Sequence, residues 1–293
     1  MFVVEEASSF FPHHLFFRTL CATAIATFCL AIHHGNLSEY SVISLDAFQS
    51  KDRRYTSDIF LARFAELPLY ALNAAVGGAL GGLFVMCWKR IQEKRRKILS
   101  TIPNPYMKAL YKVSEVVVLS ILTSSVTFAL SMSSWACKDM SRLKRKRNGE
   151  WAKIQSSLLC EEGKFNELAA VLFGGRDDPI RAILANPNQF DKQTLLSVGL
   201  AVFPLMILTL GVALPTGIFM PTFLIGCSLG GAAGIVYNET FSCDISPSTF
   251  ALLGAASLLT GIQRSTVSLC VILVEGTGQV KVLIPVIVTI VVS

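Results

Sequence analysis

The sequence predicts an all-α, polytopic integral membrane protein built on broken helices. Three observations carry this. Of 293 residues, 52% are hydrophobic and 16% charged, with a mean hydropathy of +0.55, a balance foreign to water-exposed globules. Apolar runs of about 20 residues, the length that spans a bilayer, recur along the chain. Two of the later runs are interrupted by helix breakers, at Pro215 to Gly217 and at Gly261 to Ser265. Irregular backbone at membrane depth is tolerated only where it is buried in protein or lines a cavity.

The expected spans are about 15–32, 67–88, 109–136, 195–214, 217–237, 250–275 and 280–293, with a polar loop over 137–192. The chain opens MFVVEE, without a polar lead-in, and reads as cut from a longer protein. Glu5 and Glu6 stand where a secretory signal would carry positive charge, so targeting is expected from an internal span. His33 and His34 follow the first span, and Asn36-Leu37-Ser38 in the loop beyond has the pattern of a glycosylation sequon. The second carries Gly77, Gly78, Gly81 and Gly82, small residues at helical spacing that let helices approach closely.

KRIQEKRRKILSTIPNPYMK then reads as a basic connection with Pro103 and Pro105 as breakers. Short basic loops stay in the cytosol, which sets the orientation. The third span holds Lys112 and Glu115 near its cytosolic end. By alternation the loop after it lies opposite the cytosol, although Lys144 to Arg147 is a basic run. That run lacks interleaved aromatics or a nucleic-acid motif, so it reads as solvated loop and no nucleic-acid partner is expected. The fourth span is interrupted by Pro204. Asn238, Glu239, Asp244 and Pro247 form a polar hinge after the fifth, GIQRS splits the sixth, and the seventh reaches Ser293 without a polar stop.

The eight cysteines make no CxxC pair and no zinc spacing. Cys21, Cys29, Cys87, Cys227 and Cys270 lie in apolar segments and read as inert core. Cys137, Cys160 and Cys243 lie in polar ones, and a Cys137–Cys160 disulfide is open if that loop faces an oxidising lumen. His13, His14, His33 and His34 show neither HxxxH nor HExxH, and neither a metal site nor an enzyme is expected.

The stretch with most chemical content is Leu214 to Tyr237, LPTGIFMPTFLIGCSLGGAAGIVY. Pro221 suits the first turn of a helix, where its missing N–H is no loss. Gly217 allows close backbone approach to a ligand. The free N–H groups of a helix that starts within the bilayer carry partial positive charge and suit an anion. The competing reading is a Pro-kinked membrane helix with no ligand. Glu5 and Glu6 adjoin a span; they cap the membrane edge or, if Glu6 faces the protein interior, desolvation raises its pKa and suits it to carry protons. Glu275 reads as a structural residue.

GIFMP followed by LIGCSLGGAAG resembles the third signature of the CLC chloride channel and chloride/proton exchanger family. FVVEEASSFFPHHLFFRTL resembles that family's double-Glu segment, and ELPLYALNAAVGGALGGLF its Glu-x-Pro and Gly-rich helix. CEEGKFNELAAVLF is similar to a loop of the eukaryotic endolysosomal and vacuolar branch, and FALLGAASLLTGIQRSTVSLCVILVEGTG to the late core helices. The resemblance implies the second half of a CLC membrane domain, working as a homodimer in which each subunit has its own anion path.

By the same resemblance, an anion site would use Gly217, Ile218, Phe219, Met220 and Pro221, with the amides of Ile218 and Phe219 coordinating the ion. Glu6 would match the internal proton glutamate, which favours chloride/proton antiport over a passive chloride channel. Chloride would be the substrate, and no redox cofactor or metal is implied. The family's first two signatures would precede residue 1, and its pore tyrosine and CBS pair would follow residue 293, so the chain alone is expected to lack much of the pore. A non-conducting membrane or regulatory subunit is the reading from another class. An endosomal, lysosomal or vacuolar membrane is the implied location.

Overall fold

A computed structural model describes residues 59–132, 137–139, 160, 164–174, 178–185, 187–214, 216–241, 246–277 and 282–293. The first span, Glu6 and the basic run at 144–147 lie outside them. Helices account for nearly all of what is described, with one two-stranded ribbon. Among the described residues four helices are long and apolar enough to cross a membrane.

The first of these is α1, Ile59–Thr101, of 43 residues with Pro68 inside it. It runs straight through KRIQEKRRK, which therefore is not a connection. Lys, Arg, Glu and Gln are strong helix formers, and no breaker occurs until Pro103. Only residues 102–104 separate α1 from α2, Pro105–Ser131, whose amino end is capped by Asn104 through the Tyr106 N–H. Arg95 on α1 pairs with Glu115 on α2 at 2.5 Å, so the two helices are tied at their basic end.

The segment expected as a polar loop, 137–192, is packed into the core over its later part. Strands β1, Cys137–Asp139, and β2, Lys164–Asn166, pair antiparallel, and a Cys137–Cys160 disulfide closes beside them. Two short helices follow, α3, Glu167–Leu172, and α4, Asp178–Ala185. They bury Leu168, Val171, Ile180, Ile183 and Leu184 in the main apolar cluster. The segment misleads because its helices are only six and eight residues long, yet the apolar faces are present.

Helix α5, Lys192–Thr209, contains Pro204 and continues past it. The interruption expected at Pro204 is absent; the chain breaks instead over residues 210–218. Helix α6, Phe219–Phe241, follows and includes Asn238 and Glu239, so the expected polar hinge begins later. Helix α7, Pro247–Gln263, ends where Arg264 takes a left-handed conformation at φ 56°. Helix α8, Val267–Thr277, and helix α9, Leu283–Val292, complete the chain.

Helix α7 is the centre of the molecule, buried along every residue from Phe250 to Thr260. It packs against α6 and α1, and α5 packs on the other side of α6. The α6–α7 crossing is close enough that a Cβ on Gly254 would stand 2.5 Å from the carbonyl oxygen of Gly226. Backbones that meet this closely exclude any side chain at the contact.

Candidate functional site

Between α5 and α6 the chain leaves regular helical structure. Helix α5 ends as Leu210 turns extended, and Gly211 follows with φ +82°. Helix α6 then starts at Phe219. Ile218 is its cap: the Ile218 carbonyl accepts the Thr222 N–H at 3.2 Å and the Thr222 hydroxyl at 2.7 Å. Thr222 is fully buried, so this turn is held from inside.

The N–H groups of Ile218, Phe219 and Met220 have no hydrogen-bond partner among the described residues. Pro221 stands third in the helix, where an N–H would also be unpaired, and supplies none. Gly217 to Pro221 thus lie on one turn, while Glu6 lies outside the described residues. Ile218 packs against a cluster of Phe84, Met206, Ile207, Leu210, Ile225 and Leu258. Phe219 packs against the larger core and stacks on Phe223 with ring centroids 5.8 Å apart. The two side chains are thus anchored in different clusters, and the backbone between them is held from both sides.

Gly217 has no Cβ neighbour: a methyl there would meet nothing within 4 Å. Its backbone is not in the left-handed region either. Neither packing among the described residues nor strain requires a glycine. Among the described residues, neither the space at its Cβ position nor the amides of the next three residues are occupied by a partner. A set of fixed N–H donors at a helix start carries partial positive charge, which is chemistry suited to a small anion.

Sequence reasoning missed the side chains that hold the other half of the break. Trp88, Gln92 and Arg95 sit on one face of α1, at i, i+4 and i+7. All three donate to the carbonyl oxygen of Leu210: Trp88 Nε1 at 3.3 Å, Gln92 Nε2 at 2.9 Å and Arg95 Nη1 at 3.0 Å. Arg95 Nη2 also reaches the Leu208 carbonyl at 2.5 Å. The spacing of the three donors is visible in the sequence, but their acceptors are backbone atoms more than a hundred positions away.

At the opposite end of α5 the buried carboxylate of Glu167 accepts the Asp191 N–H at 3.1 Å and the Thr194 hydroxyl at 2.9 Å. A negative group at a helix amino end is favourable. Beside it, Asn166 caps α3 through the Ala169 N–H and donates to the Ser131 carbonyl at the end of α2.

Comparison with known proteins agrees with this architecture. The chain is 30% identical to the H(+)/Cl(-) exchange transporter 7 of Mus musculus over 96% of its own length and 34% of that protein's. It is 29% identical to Chloride channel protein CLC-c of Arabidopsis thaliana, over 97% of this chain and 36% of that one. The chain thus spans about a third of the length of these relatives. A crystal structure of a eukaryotic CLC transporter superposes with a TM-score of 0.51 at 24% identity, covering 78% of this chain and 32% of that one. With a match to the Voltage gated chloride channel family that runs over residues 1–293, the chain belongs to that family.

Proposed function

We propose that the protein moves chloride across a membrane in exchange for protons, and that Gly217, Ile218, Phe219, Met220 and Pro221 form part of the anion site. One observation carries this reading: a helix begins at Phe219 after a break, and among the described residues its first amides are unpaired and nothing lies within 4 Å of a Cβ at Gly217. Backbone donors suit an ion that must bind and leave, because they stabilise charge without a fixed counter-charge to trap it. The 30% identical relative that is named an H(+)/Cl(-) exchange transporter supports exchange over passive flow.

Glu6 is proposed as the proton carrier by resemblance alone, since it lies outside the described residues. A homodimer and an endosomal, lysosomal or vacuolar membrane are proposed on the same ground. The Cys137–Cys160 disulfide supports a lumenal, oxidising face for the ribbon. No covalent reaction and no cofactor enters this reading.

The full-length protein in liposomes tests it. An imposed chloride gradient should drive proton movement and change the lumenal pH. Chloride flux without proton movement would make the protein a passive channel. Absence of any flux from the full-length protein would leave a non-conducting membrane subunit.

A further inference from the structure

We infer that Trp88, Gln92 and Arg95 form a clamp on the carboxyl end of α5 that sets the depth and direction of the Gly217–Phe219 helix start. Arg95 is the positioning residue at its centre. This rests on the reading of that helix start as an anion site.

A helix that ends inside a membrane leaves its last carbonyls without partners, and those carbonyls carry partial negative charge. In this fold that end lies just before the turn proposed to receive an anion, joined to it by residues 210–218. A bare negative pole there would repel the ion. Arg95 covers it. Its Nη1 and Nη2 take the Leu210 and Leu208 carbonyls, and its Nε takes Glu115 on α2. Every nitrogen of the guanidinium is engaged, so the head group has one orientation. A planar fork of donors can do this; the single ammonium of lysine cannot.

Trp88 and Gln92 close the remaining approaches to the Leu210 oxygen. The same face of α1 also supports the far side of the break. Phe84 belongs to the cluster against which Trp88, Ile91 and Ile218 pack. One helix face therefore holds the last carbonyl of α5 and the cap residue of α6. Moving that face would move both ends of the broken segment together.

The test uses the full-length protein in liposomes, with chloride efflux measured over a range of chloride concentrations. In Arg95→Gln, half-saturation should shift to chloride concentrations about tenfold higher, the scale of one lost charge-assisted hydrogen bond, while the maximal rate falls less. Arg95→Lys should recover only part of the shift. A second readout does not depend on transport: in a Gly217→Cys background, Arg95→Gln should change the rate at which a water-soluble thiol reagent labels position 217 by several-fold. Wild-type half-saturation together with an unchanged labelling rate would overturn the inference and leave the anion-site reading intact. Failure of the parent protein to move chloride would sink the anion-site reading instead, and the labelling arm would still report on the clamp. If Arg95→Gln does not reach the membrane, Arg95→Lys decides, and wild-type half-saturation in that variant overturns the clamp.

Discussion

The side chain of Gln92 passes through the space that a side chain on Gly211 would fill. A Cβ at Gly211 would stand 1.9 Å from Gln92 Nε2, and the residue holds φ +82°. Gly211→Ala therefore meets two obstacles, backbone strain and the displacement of Gln92 from the Leu210 carbonyl. Together they should cost roughly 2 kcal/mol. Thermal unfolding in detergent measures this. Adding Gln92→Ala should remove the collision and leave the strain, so the double variant should melt no lower than Gly211→Ala alone.

Gly217 should behave in the opposite way. A methyl at this position collides with nothing among the described residues and strains nothing. Gly217→Ala should keep stability within about 0.5 kcal/mol of the parent. It would nevertheless crowd the volume in front of the Ile218 and Phe219 amides. Chloride flux from liposomes should fall by about tenfold or more, in line with the sensitivity of tight sites to small misplacements. Unchanged flux would remove Gly217 from the anion site.

Glu167 is 1% exposed and satisfies two donors at the start of α5. Glu167→Ala should remove the carboxylate that accepts the Thr194 hydroxyl and the Asp191 N–H and cost about 1–3 kcal/mol. Glu167→Gln keeps an acceptor oxygen and should lose less. The comparison of the two variants by thermal unfolding separates the hydrogen bonds from the charge. Equal losses would assign the effect to charge on the helix end.

The Cys137–Cys160 bond closes a loop with a sequence separation of 23. Removing it with Cys137→Ser should destabilise the protein by roughly 3 kcal/mol on chain-entropy grounds. It also reports orientation. After mild reduction of intact vesicles, a thiol reagent that cannot cross the membrane should label Cys160 from the face opposite to Lys94. Labelling from the face that holds Lys94 would reverse the assigned topology.

Much of this architecture is legible because its breaks are chemical. GIQRS ends α7 where Arg264 turns left-handed, and the Pro215 to Gly217 region precedes the start of α6. Other features are not legible in a single chain of letters. Pro204 looks like a breaker, yet α5 passes through it, since neighbouring helices can support a proline inside a membrane helix. Glu167 to Leu172 looks like loop because six residues show no period, and only the fold reveals its burial. The Arg95 clamp escapes for a different reason: it reads backbone oxygen, which has no residue type to recognise. Glu6 remains a matter of sequence, outside the described residues.

At about 1.5 Å per residue the 43 residues of α1 make a rod near 65 Å long, roughly twice the thickness of a bilayer's oily interior. Its far tip, rich in Lys and Arg, is largely exposed, while its midsection is seated on α7 through Gly77 and Gly81. A stiff lever with its fulcrum among glycines does not absorb a push. Because Trp88, Gln92 and Arg95 bond the oxygen of Leu210, a tilt of that tip and a shift of the Leu210 carbonyl are one motion.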